Sequence, residues 1–128
     1  SLVKDGSPSD TYYHVHKRPK EHQMAYFNIG RGFPKELMDG HWCYVVKDLG
    51  YKMLIIPCTS IKKESSPVNP HFEKDLTVLD EHGMITHSRM QLTDLRTVDI
   101  QRLDCRKPFY NVCDDQEEIR KFIIEHLF

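Results

Sequence analysis

Neither sign of charge dominates this chain: 18 Lys and Arg stand against 19 Asp and Glu, for a formal net charge of −1. A surface so balanced exerts no global pull on phosphate, so any nucleic-acid interface must come from local clustering of cations. Long apolar runs are missing too. None approaches the roughly 20 residues that a bilayer crossing needs, and no basic segment followed by an apolar stretch opens the chain. No membrane span or signal peptide is therefore expected, and the expected location is the cytoplasm. Cysteine is scarce and scattered. Cys43, Cys58, Cys105 and Cys113 form no CxxC pair, which argues against a structural zinc site or a dense disulfide framework and for reduced thiols. Histidine, by contrast, occurs eight times, yet never as HExxH. The pair His14-x-His16 lacks an indicated third ligand, so neither a metal nor another cofactor is expected. A length of 128 residues, 39% hydrophobic and 29% charged, suits one core and excludes a second full domain.

What is present divides into three parts. Residues 1–21 carry Gly6, Pro8, Pro19 and the basic run His16-Lys17-Arg18 without a stable period, and read as a tail or linker. Residues 22–128 form the domain. Its first part is a series of short β-prone runs separated by turn residues, the pattern of a small antiparallel barrel. Strands are expected over 24–29, 42–47, 51–57, 76–79, 85–92 and 107–112, with a polar loop over 62–70. Asp48-Leu49-Gly50 is the expected hairpin turn between the second and third strands, because Gly accepts positive φ there. Glu81-His82-Gly83 is expected to turn the chain once more. The end of the chain changes period: Ile119, Phe122, Ile123, His126 and Leu127 recur at helical spacing. Asp114 followed by Glu117 reads as a capping box with Asp114 as N-cap. Laying three large side chains of that helix on the sheet would contribute on the order of 5 kcal/mol before entropy is subtracted. The fold class is a β-rich α+β domain.

Five segments carry a resemblance: Tyr26-Phe27-Asn28-Ile29-Gly30, the loop over 36–40, Tyr44-Val45-Val46, Ile55-Ile56-Pro57-Cys58-Thr59-Ser60, and the stretch from Leu92-Thr93-Asp94-Leu95-Arg96-Thr97-Val98-Asp99 to Ile100-Gln101-Arg102-Leu103. Together they resemble the PemK/MazF family, from about residue 23 to the terminal helix. The last stretch is the most specific, a hydrophobic-Arg-Thr-hydrophobic-Asp segment followed by an Arg-Leu pair. The resemblance implies an SH3-like barrel with a C-terminal helix, usually a homodimer, acting as the toxin of a toxin–antitoxin pair. It implies a sequence-selective endoribonuclease that uses no metal and leaves a 2′,3′-cyclic phosphate and a 5′-hydroxyl. It also implies an antitoxin protein as partner.

The family's site residues carry over unevenly. Thr59 ends an apolar strand where the family has a catalytic Thr or Ser, and its hydroxyl suits a phosphorane oxygen. The family's catalytic Arg lies in a Gly-x-Arg-Pro opening of the second strand, and counting from Glu36 puts His41 at that position, with Trp42 in place of proline. An imidazole exchanges protons near neutral pH but is a weaker permanent counter-charge, so the developing charge would fall to donors such as Arg31, Lys35 or Lys62. Ser60 either shares the hydroxyl role or forms a turn. Arg31, Phe33 and Lys35 either grip RNA by phosphate contact and stacking or belong to a solvated loop anchored by Phe33. Glu36 receives a base edge or is solvated, and Trp42 stacks a base or lies in the core. His87 is a candidate second proton-transfer group. Arg96 and Asp99 read as a structural ion pair fixing a tight turn.

Two functions compete on this reading. One is a metal-independent endoribonuclease of single-stranded RNA; the other is a non-catalytic barrel of the same ancestry that binds RNA or protein, favoured by the missing arginine and opposed by the retained Thr59. A DNA-reading regulator fits poorly, because no helix-turn-helix or basic helix is present in the pattern.

Overall fold

The computed structural model describes residues 18–29 and 40–127. Seven strands precede a single helix: β1 (Gln23–Asn28), β2 (Gly40–Asp48), β3 (Lys52–Ser60), β4 (Glu73–Leu79), β5 (Ile85–Gln91), β6 (Arg96–Asp99), β7 (Tyr110–Val112) and α1 (Gln116–Leu127). All pairings are antiparallel. Strands β2, β1, β7, β4, β5 and β3 follow one another around the sheet, and β3 pairs back onto β2 to close a six-stranded SH3-like barrel. Closure removes the exposed edges that an open sheet would present. Strand β6 lies outside this ring. It occupies the first half of the free edge of β3, from Lys52↔Asp99 to Ile55↔Arg96, and β5 takes the second half, from Cys58↔Met90 to Ser60↔Ser88.

Two apolar clusters follow from strand alternation. Met24, Tyr44, Ile56, Leu76, Val78 and Met90 fill the barrel, joined by Ile119 and Ile123 of α1. Ala25, Phe27, Cys43, Val45, Met53 and Ile55 project from the opposite face of β1–β3, where Val98, Ile100 and Leu103 cover them. Because both faces of β3 are buried, residues 53–58 read as an almost continuous apolar run instead of an alternating one.

The expected hairpin between β2 and β3 forms. Gly50 adopts φ 94° and donates its N–H to the Asp48 carboxylate at 2.9 Å. Arg18 binds the same carboxylate through two nitrogens, at 3.1 and 2.8 Å. His22, at φ 72°, donates its backbone N–H to the Val45 carbonyl and shares a 2.8 Å ring hydrogen bond with the Tyr44 hydroxyl. Residues 18–21, assigned to the tail from composition, are thus held against the hairpin, and Glu21 adds an ion pair with Arg120 of α1. The turn at Gly83 forms as expected, with φ 76°.

Three local expectations are corrected. Residues 96–99 are an edge strand, not a tight turn. Arg96 and Asp99 do not pair among the described residues, since positions three apart on an extended strand face opposite ways, and Asp99 instead accepts the Gln101 N–H at 2.9 Å. The last strand is only Tyr110–Val112, shorter than the expected 107–112, because Lys107 turns back to the Asp104 carbonyl and Pro108 has no N–H to give a ladder. The cap of α1 shifts by one residue. Asp115 accepts the Glu118 N–H at 3.2 Å, keeping the Asp-x-x-Glu spacing, while Asp114 accepts the Thr77 N–H at 2.7 Å and ties the helix start to β4.

Candidate functional site

The pairing of β2 with β3 runs through Cys43↔Pro57. Extending that register by two residues sets His41 opposite Thr59, both on the face that carries Cys43 and Val45. The two side chains line one pocket of about 250 Å³, His41 half-buried and Thr59 exposed. Arg96 lines it as well. It reaches this place because β6 is paired antiparallel to the first half of β3, which sets Arg96 opposite Ile55 and turns it to the same face as the buried Val98. Imidazole, hydroxyl and guanidinium therefore meet around one recess, contributed by three strands. Gln91 and Asp94 complete its polar wall.

A sulfur nucleophile does not fit here. Cys58 borders the pocket, but burial pushes its thiol from 9.0 up to about 12. Burial likewise raises Cys43, reinforced by the neighbouring Cys58 and only partly offset by the charge of Arg96. Both thiols stay protonated at neutral pH and pack as apolar groups.

A second recess of about 390 Å³ shares His41 and Thr59 and adds Tyr26, Trp42, Ser60 and Lys62. Trp42 is both wall and core. One indole face stacks on Tyr110 at 4.3 Å, and Tyr26 meets the indole edge-on at 5.3 Å. Gly40 is required beneath Tyr26, since a Cβ there would lie 2.1 Å from the ring. Lys62 is exposed at the rim.

The structure thus brings His41, Thr59, Ser60, Trp42 and Lys62 around one groove. It leaves His87 out. On β5, His87 stands opposite Ile61, whose N–H its carbonyl accepts at 3.2 Å, and its exposed side chain lines neither recess. Arg31, Phe33, Lys35 and Glu36 lie outside the described residues, as do His14 and His16. Arg89 stands directly opposite Thr59, but its guanidinium is committed to Asp75 at 2.8 Å and to the Ser66 carbonyl at 2.6 Å, which pins the 61–72 loop. Three wall residues, Gln91, Asp94 and Arg96, escaped the sequence reading. Asp94 and Arg96 belong to the Leu92–Leu103 stretch that carries the resemblance, where Arg96 reads as part of a structural ion pair, and Gln91 immediately precedes it.

Among the described residues no group of three or more His, Cys, Asp or Glu converges to hold a metal ion, and no helix is long and apolar enough to cross a membrane. Compared with known proteins, the chain matches no protein-family model and no curated protein sequence.

Proposed function

We propose that this chain is a toxin-like endoribonuclease of the PemK/MazF type that cuts single-stranded RNA without a metal ion. One observation carries the reading: His41, Thr59 and Arg96 line the same pocket on the outer wall of the barrel. Transesterification of RNA needs a group to take the ribose 2′ proton and donors for the charge that develops on phosphorus. His41 takes the proton as the 2′-oxygen bonds to the adjacent phosphorus. The guanidinium of Arg96 and the hydroxyl of Thr59 donate hydrogen bonds to the non-bridging oxygens of the phosphorane. The bond from phosphorus to the 5′-oxygen then breaks, and that oxygen takes a proton from water. The products are a 2′,3′-cyclic phosphate and a 5′-hydroxyl, and His41 returns its proton to solvent.

Arg96 supplies, from β6, the counter-charge that the start of β2 lacks. Along the flanking recess, Tyr26 and Trp42 give aromatic surface for bases and Lys62 gives a cation for the backbone. The same reading has the chain working in the cytoplasm as a homodimer, restrained by an antitoxin that occupies this groove.

Incubating the purified protein with a long RNA in EDTA tests the reading. Discrete fragments ending in cyclic phosphate are expected, and His41→Ala or Thr59→Ala abolishes them. RNA that is bound but left uncut across varied sequences refutes the nuclease and identifies a non-catalytic binding barrel.

A further inference from the structure

Six arginines lie among the described residues, and four of them end on carboxylates: Arg18 on Asp48, Arg89 on Asp75, Arg106 on Asp104, and Arg120 on Glu21 and Glu117. The remaining two, Arg96 and Arg102, have no carboxylate partner among the described residues. Both line one recess of about 250 Å³, together with Lys52, also free of an ion pair there. The recess lies between the end of β1 and β6, the strand that pairs only with β3. Asn28 and Thr97 place an amide and a hydroxyl on its wall. Its one acid is Asp99, whose carboxylate is engaged by the Gln101 N–H. Three cations against one carboxylate leave a local excess of positive charge, which raises the potential in this concavity and makes it a site for an anion.

The position of this recess decides which anion. It shares Ile29 and Arg96 with the pocket of His41 and Thr59, so the two recesses lie side by side with Arg96 between them. We infer that Lys52, Arg102 and the shared Arg96 bind the RNA backbone phosphate adjacent to the scissile one. This rests on the proposed nuclease reading and extends it. Arg96 bridges two neighbouring phosphates, Lys52 and Arg102 serve only the flanking one, and the protein engages a strand longer than the dinucleotide it cuts. An acidic peptide is the competing occupant. The adjacency of the recess to the proposed cleavage pocket, and the hydroxyl and amide donors beside the cations, favour phosphate.

Binding and cutting are measured separately. Affinity for an uncleavable, mixed-sequence 2′-O-methyl RNA is followed across salt concentration for the intact protein and for Lys52→Gln and Arg102→Gln. Each substitution lowers affinity about tenfold and reduces the salt slope by about 0.7, the value for one phosphate on a single strand. Lys121→Gln, on the exposed face of α1, leaves both unchanged. In a substrate whose cleavage point has been mapped, a neutral methylphosphonate beside the scissile linkage raises KM more for the intact protein than for Arg102→Gln, in which only Lys52 and Arg96 are left to lose the contact. Unchanged affinity and slope in both variants, in a protein that still cuts RNA, overturn the flanking site and leave the nuclease standing. Loss of slope in a protein that binds but never cuts overturns the nuclease and keeps a phosphate site. An intact protein that neither binds nor cuts overturns both, and tighter binding of poly-glutamate than of RNA at equal charge assigns the recess to an acidic peptide instead.

Discussion

Inside the barrel the Tyr44 phenol is 2% exposed and spends its hydroxyl on His22 at 2.8 Å. On the outer wall a few residues along the same pair of strands, Thr59 is exposed, and the Arg96 and Arg102 guanidinium groups form no ion pair among the described residues, although Asp94 and Asp99 line the same recesses. The interior completes its own hydrogen bonds, and the groove leaves its donors open. Burial makes an unsatisfied polar group expensive, and the buried Arg89 and Asp104 are accordingly committed to structural partners, Asp75 and Arg106. Arg89 shows the rule at close range. It is the cross-strand neighbour of Thr59, yet its charge goes to Asp75 and to a loop carbonyl instead of the groove. Whether a cation has a partner, more than where it lies in the chain, separates the arginines that hold the fold from those available to a ligand.

That contrast breaks first in the groove. Replacing Arg96 by Gln removes the counter-charge while leaving the exposed strand surface intact, and RNA cleavage is expected to fall by about 10²–10³-fold, the usual cost of losing one transition-state donor. Thermal unfolding should barely move. A large drop in melting temperature would show that Arg96 belongs to the structural set after all. In the interior the signs reverse. Ile119 is fully buried among the barrel residues, and Ile119→Ala is expected to cost about 3 kcal/mol of unfolding free energy in denaturant titration, with the affinity of the folded fraction for RNA retained. Equal losses of stability and affinity would dissolve the distinction between the two regions.

The smallest expected effect is alkaline. Burial raises the Cys58 thiol from 9.0 to about 12, and Cys43 moves in the same direction. Between those values the folded state holds protons that the unfolded state has released, so stability is full below pH 9 and declines as pH rises through that window. Between pH 9 and 10 the slope attributable to one thiol is at most about 1.4 kcal/mol per pH unit. Cys58→Ala starts less stable, because it empties part of the barrel, but its stability falls less steeply over this interval. An unchanged slope would mean that the thiol is reached by solvent. The Tyr44 phenol, raised chiefly by burial, adds a decline of the same sign only above pH 10.

Much of this fold is legible in the sequence because its signals are local. Asp48-Leu49-Gly50 marks its own hairpin, Gly83 its own turn, and the 3.6-residue spacing of Ile119 and Ile123 marks the helix face. Errors occur where a local signal is ambiguous by one residue or absent. Asp114 and Asp115 are chemically equal as caps, and only the bond from Thr77 to Asp114 assigns the role to the second. Residues 96–99 are too short a run to declare themselves a strand, and the three-residue separation of Arg96 from Asp99 suggested a contact that an extended backbone prevents. The exposed His87 lines neither recess, and membership of β5 does not by itself tell which of its side chains reach the groove.

By itself, then, the order of residues determined which positions are apolar, where the chain turns and that a helix closes it, since each depends on neighbours a few positions away. Only the tertiary structure decided that Arg96 stands with His41 and Thr59 and that Arg102 and Lys52 share its other side. Those meetings arise because one strand, β3, offers one edge to β2 and divides the other between β6 and β5. Sequence spacing fixes distance along a strand, and has no term for distance across one.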